Sequence, residues 1–300
     1  DDFEGEISID LRINQATKLI WLNATEIKIA AARIELAEPA SNIALKPIAG
    51  GDDFVGLQSA MLLPPGDAKI IIQYRGKLEQ LATHGLFKQK SGNDLYVVSQ
   101  FEAYDARRAF PCFDEPGWKT PWQITLDVPA DLVAVSNTPQ SAEEKLPNNR
   151  KRLSFAPTAP LPAYLIALAV GPFDVVDGGT AGMKKTPLRY LAPKGRGAEM
   201  RYAKENTPRL VELLENYFGM PYPYEKLDSV VIPQTVGFGA MENVGMITYA
   251  GSILLAKPHE ESDAFRQNYI NTAAHEIAHQ WFGNLVTMKW WNDIWLNEAF

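Results

Sequence analysis

Two histidines four residues apart, with a glutamate beside the first, form the segment His275-Glu276-Ile277-Ala278-His279; a second glutamate, Glu298, follows after eighteen residues. A helix carries positions i and i+4 on one face about one turn apart, so both imidazoles reach a single metal ion. Glu276 lies next to the first of them and can lean toward a water on that ion without ligating it, which makes it the candidate general base. The third ligand has to come from another segment. Phe282-Gly283-Asn284 is expected to end the first helix and Asn292 or Asp293 to cap a second, Ile294 to Glu298, so that Glu298 faces back across a helical hairpin. Two histidines and one carboxylate leave a fourth position for water, the pattern of catalytic rather than structural zinc, at one Zn2+ per chain. The alternative is a pair of core histidines that satisfy each other. The apolar Ile277, Ala278, Trp281 and Phe282 around them argue for a buried site, where two histidines and two glutamates need a compensating partner, and a metal is the simplest one.

A second stretch, Gly237-Phe238-Gly239-Ala240-Met241-Glu242-Asn243-Val244-Gly245, is rich in glycine and holds one carboxylate. Its glycines let the backbone lie close to a ligand, as an edge segment pairing with an extended substrate requires. Farther upstream, Leu95 to Glu102 reads as a strand, and period-2 alternation turns Gln100 and Glu102 to the same face.

The core Gly239-Ala240-Met241-Glu242-Asn243, the eighteen-residue gap to Glu298 and the order of the two motifs resemble the M1 (gluzincin) zinc aminopeptidases. So do Gln100-Phe101-Glu102, the run from Asp105 to Pro116, Tyr217-Phe218-Gly219 and Pro221-Tyr222-Pro223; the resemblance covers the chain from about residue 5 to its end. It implies a peptidase acting on peptides with a free N-terminus. Glu242, with Glu102 and Gln100, would hold the substrate α-ammonium; Gly239 and Ala240 would align the peptide, Met241 would touch its first side chain, and Asn243 completes the motif. It also implies an oxyanion-stabilising tyrosine beyond Phe300, so Tyr222, Tyr224, Tyr249 and Tyr269 are given no such role. Three rivals share parts of these features: a zinc endopeptidase, a bifunctional hydrolase resembling leukotriene A4 hydrolase, and a zinc-binding module without activity. Gly239-Ala240, where the second has Gly-Gly, argues against it.

The elements that must position these residues follow from patterning. Alternation at Ile7–Ile13, Ile27–Leu36, Ile70–Tyr74, Leu95–Phe101, Ile124–Val128 and Tyr164–Ala169 predicts an antiparallel β domain of sandwich or saddle type. Asp177-Gly178-Gly179-Thr180-Ala181-Gly182 reads as a linker, which divides the chain into an N-terminal β domain, 1–182, and an incomplete thermolysin-like α+β catalytic domain, 183–300. In the second part a helix from about Ala198 stops at Gly219, with a kink or restart at Pro208 capped by Thr207. Strands follow at Leu227–Ile232 and Met246–Tyr249, then the histidine helix, Ala264 to Phe282.

Composition sets outer limits. With 300 residues, 46% of them hydrophobic and 22% charged, the chain is expected to be globular with more than one core. A net charge of −7 without a Lys/Arg cluster argues against nucleic acid as a partner. The single cysteine, Cys112, precludes an internal disulfide and a thiolate metal cluster. No apolar run approaches the ~20 residues that cross a bilayer. The opening at Asp1 without Met predicts that an upstream piece is removed, which leaves cytoplasm, periplasm and secretion open; oligomeric state is equally open.

Overall fold

The computed structural model describes residues 2–38, 40–235 and 237–299. The first strands are β1 (Asp2–Ile13), β2 (Thr17–Asn23), β3 (Lys28–Leu36), β4 (Ser41–Ala49), β5 (Phe54–Leu63) and β6 (Gly66–Lys77), joined antiparallel in the order β1-β6-β3-β4-β5-β2. In β1 every second residue turns inward, and Phe3, Ile7, Ile9, Leu11 and Ile13 lie on the cluster built on Ile34, Leu57, Ile70 and Ile72. That is the expected one-sided sheet.

Next come β7 (Gly85–Ser91), β8 (Asp94–Gln100), β9 (Thr125–Pro129), β10 (Val133–Ser136), β11 (Gln140–Leu146), β12 (Arg150–Phe155) and β13 (Leu168–Gly171). They form two more antiparallel sheets, β10-β13-β8-β7 and β11-β12-β9. The expected strand at Tyr164–Ala169 is half right: Ala163–Leu165 is a 3-10 turn, and the strand begins at Leu168.

An α+β region follows. Its sheet runs β14-β15-β16-β18-β17, from β14 (Phe173–Ala181), β15 (Thr186–Pro193), β16 (Leu227–Ile232), β17 (Ala240–Met241) and β18 (Met246–Ala250). The central pairs β15–β16 and β16–β18 are parallel and the outer two antiparallel. The linker expected at 177–182 is therefore corrected: it lies within β14 and reaches the turn into β15. The register shift between Asp177 and Thr180 absorbs Gly178 and Gly179, which is why a glycine pair here bends a strand instead of ending one.

Helix α1 (Arg201–Phe218) runs unbroken through Pro208, contrary to the expected restart. Thr207 caps nothing. Its hydroxyl donates to the Ala203 carbonyl at 2.7 Å and meets the Tyr269 hydroxyl at 2.7 Å, tying α1 to the histidine helix across a buried face. Gly219 ends α1 at φ 67°, and its N–H bonds the Glu215 carbonyl. After a short α2 (Gly251–Leu254), α3 (Asp263–Ala278) starts at Ser262, whose hydroxyl accepts from the Phe265 N–H. Tyr269, Ala273 and Ile277 recur every fourth residue and bury one stripe of α3 in the cluster with Leu210, Val211, Ile247 and Tyr249.

Two hydrophobic clusters cross from the first part of the chain to the second. One joins Phe101, Ala106 and Leu161 to Met241, Val244 and Met288; the other joins Phe87, Tyr96 and Val98 to Leu191, Val230 and Met246.

Candidate metal and substrate site

Helix α3 delivers His275 in its last turn and His279 as its C-cap, still in helical geometry at φ −56° and ψ −25°. The regular helix stops at Ala278 rather than Phe282. Beyond it, Gln280 and Trp281 bond back three residues to Ile277 and Ala278, which tightens the turn. Glu298 arrives on α4 (Trp295–Glu298), which a 3-10 turn at Trp291–Asp293 feeds directly. The expected Asn292 or Asp293 cap is absent: Ile294, itself in the helical region, stands at the cap position without a side-chain bond, because one turn runs straight into the next.

Three donor atoms converge. His275 Nε2 lies 2.9 Å from His279 Nε2 and 3.3 Å from Glu298 Oε2, and His279 Nε2 lies 3.7 Å from the same oxygen. His279 Nδ1 is 3.1 Å from the Phe282 carbonyl, an acceptor that holds the proton on Nδ1 and turns the Nε2 lone pair into the site. Ligand bonds of 2.0–2.1 Å in a tetrahedron put neighbouring ligand atoms about 3.3 Å apart, so this set fits zinc in both donor type and spacing.

Around these atoms opens a cleft of about 440 Å³, lined by Glu102, Ala103, Ala240, Glu242, Glu276 and Ile294 together with His275, His279 and Glu298. Glu276 and Glu242 are buried, and Glu276 Oε2 and Glu242 Oε1 have no hydrogen-bond partner among the described residues. Oxygens of both lie within 4.8 Å of a His279 nitrogen; oxygens of Glu102, Glu242 and Glu298 form a second group of the same span. This crowding shows in protonation. Burial, then the Glu242 and Glu298 charges, push Glu102 up to about 9. Burial and Glu298 push Glu242 up to about 7. Glu276 is raised well above the ordinary value by burial first and the other carboxylates after it. Glu298 is lowered by its bond to His275, and His275 is raised by the same bond. His279 is lowered by burial and by His275. Buried carboxylates with so little positive charge beside them form a site for cations.

Not every expected residue reaches the cleft wall. Strand β8 ends at Gln100, and the chain then turns with the Asp105 N–H on the Phe101 carbonyl, so Gln100 and Glu102 are not on one strand face. Glu102 lines the cleft, whereas Gln100 is buried and does not, its Oε1 without a partner among the described residues. Met241 is fully buried in a hydrophobic cluster and Asn243 Nδ2 bonds Thr248 Oγ1 at 3.3 Å; neither lines the cleft, nor does Gly239. Ala240 does, on β17, which pairs with β18 on one side and forms the edge of its sheet.

Comparison with known proteins bears on both parts of the chain. Residues 1–165 match the model of the peptidase M1 N-terminal domain, and residues 202–300 match that of the peptidase family M1 domain. Aminopeptidase M1 of Arabidopsis thaliana is 37% identical over 306 residues, covering 99% of this chain and 34% of its own length. Aminopeptidase N of Acetobacter pasteurianus is 42% identical over 204 residues, 68% of this chain and 57% of its own. Glutamyl aminopeptidase of Bos taurus is 31% identical across 100% of this chain and 32% of its own length. The chain thus spans about a third of the length of most of these relatives.

Proposed function

This chain belongs to peptidase family M1, and we propose from that membership that the protein is a zinc-dependent aminopeptidase, hydrolysing the N-terminal peptide bond of its substrates. The observation that carries the reading is the juxtaposition of the His275–His279–Glu298 donor set with the buried Glu242 and the half-buried Glu102 in one cleft.

His275, His279 and Glu298 would hold the ion. Zinc bound there would supply Lewis acidity toward the scissile carbonyl and acidify the attacking water. Glu276 takes a proton from the attacking water and delivers it to the leaving amine. Glu242 and Glu102 accept hydrogen bonds from the substrate α-ammonium, whose positive charge offsets the burial and, after it, the repulsion that raise both carboxyls. Gln100, through its unpartnered Oε1, is the auxiliary acceptor. The free edge at Ala240, with Gly239 before it, receives the extended substrate backbone. Asn243 acts by holding this segment against β18, and Met241 acts by anchoring it in the core rather than by touching the substrate side chain.

The test is to incubate the zinc-loaded full-length protein with matched peptides carrying free and acetylated N-termini and to identify products by mass spectrometry. Stepwise loss of single residues from the free peptide alone is expected. Equal internal cleavage of both would replace this reading with an endopeptidase, and no cleavage of either would favour a hydrolase of another class or a binding module.

The division of the chain is also a proposal. The matched segments leave 166–201 unassigned, and the pairing of β14 and β15 with β16 argues that the catalytic region begins near Phe173, ahead of the boundary expected at 182.

A further inference from the structure

The segment that carries Glu242 is gripped by its backbone, and the groups that grip it belong to the histidine segment. Gln280 Nε2 donates to the Glu242 carbonyl at 2.9 Å, and Asn284 Nδ2 donates to the same oxygen at 2.7 Å. Gln280 Oε1 accepts from the Gly245 N–H at 3.3 Å, so one side chain spans the loop from residue 242 to residue 245. Both amides are completely buried. Gln280 follows His279 directly, and Asn284 is returned to the same turn by its own N–H, which bonds the His279 carbonyl at 3.0 Å. The two histidines and the two amides therefore belong to one rigid piece, and the Glu242 backbone hangs from it. Asn137 Nδ2 on the Val244 carbonyl and Lys226 Nζ on the Gly245 carbonyl, at 2.9 and 2.8 Å, fix the far end of the loop.

We infer that Gln280 and Asn284 are positioning residues that set the distance between the ammonium-binding carboxylate and the metal ligands, and so decide which peptide bond of a bound substrate reaches the ion. Neither touches substrate; both act through the Glu242 backbone. A carbonyl with two buried amide donors has little freedom to slide, and a shift of about 1 Å in a reacting geometry costs on the order of 100-fold. The inference rests on the aminopeptidase reading above.

The experiment compares the zinc-loaded full-length protein with its Asn284→Ala and Gln280→Glu variants. Gln280→Glu preserves shape and the acceptor for Gly245 while replacing the donor to Glu242. Zinc content is measured first. Titration calorimetry then gives Kd for alanine amide and for N-acetyl-alanine amide, and kinetics give kcat/KM for a free and an acetylated peptide. Expected is a fall of about tenfold or more in the preference for the free amine, by both readouts, with zinc content unchanged. A structural loosening would weaken both ligands in proportion and leave that ratio intact. An intact ratio in a zinc-retaining variant overturns the inference alone. If Asn284→Ala fails to hold zinc, Gln280→Glu decides by the same ratio, and loss of zinc from both would overturn the inference in favour of a purely structural role. A wild-type protein that shows no preference for the free amine would overturn the aminopeptidase reading, and this inference with it.

Discussion

Glu276 and Glu242 are both buried carboxylates facing one cleft, yet their chemistry separates them by neighbour: Glu276 is bracketed by the two histidines, Glu242 by glycine-rich backbone. Glu276→Gln is expected to lower kcat by about 100- to 10,000-fold with bound zinc unchanged, as read by steady-state kinetics beside metal analysis. Glu242→Ala removes a charge-assisted hydrogen bond and should weaken free-amine substrates by about 1.5–3 kcal/mol while sparing acetylated ligands, which calorimetry measures. The histidines, Glu276 and Glu298 line one cleft, as their spacing leads one to expect, and Glu242 joins them there, an expectation that came from the resemblance to the M1 peptidases and not from its own surroundings. Gln280 and Asn284 were not legible in the sequence. They bond a carbonyl 38 and 42 residues earlier, a contact made where the turn after α3 meets the loop after β17, and no periodicity encodes it. Gln100 was placed on the face of Glu102 by alternation alone; the strand stops before alternation can apply.

Strands with one wet face and one dry face were readable from period 2, as β1 and β3 illustrate. β11, exposed along nearly its whole length, has no such signal and is held by ladder bonds to β12. Elements also depend on charges that patterning cannot pair. Asp228 of β16 is fully buried, bonded by Arg189 of β15 at 2.9 and 2.6 Å and by Lys226 at 2.7 Å. Burial alone would raise its carboxyl, but the Lys226 and Arg189 charges outweigh it and hold it below the ordinary value. A folded-state value below the unfolded one contributes stability that is complete above the usual aspartate value of about 3.9 and lost as pH falls through the folded value. Asp228→Ala should cost about 3–5 kcal/mol in denaturant unfolding near neutral pH, since it strands a buried ammonium, and should flatten the acid limb of stability against pH. At the start of α3, Ser262→Ala should cost about 1 kcal/mol by the same measurement.

On the scale of the whole molecule, the first and second parts share cores, and polar locks cross between them. Lys119 donates to the Asn284 and Leu285 carbonyls at 3.0 and 3.1 Å, and buried Asn137 bonds the Leu165 and Val244 carbonyls at 2.8 and 2.9 Å. Calorimetry should therefore show both parts unfolding in one transition, with van't Hoff and calorimetric enthalpies in agreement; two resolved transitions would contradict the shared core. Removing zinc with a chelator should lower that transition temperature, because an ion at a thousand times its Kd stabilises by about 4 kcal/mol. The β17 margin of the α+β sheet is open. Unpaired strand edges invite other chains to add on, and proteins that expose long ones risk aggregation. At this margin, unlike the nine-residue β14 at the other, the edge strand is two residues long, and Glu242, which follows it, lines the cleft. An edge so brief gives a visiting backbone room for a single rung of the ladder. This margin has space for the tip of an extended chain and no length along which copies of the protein could stack.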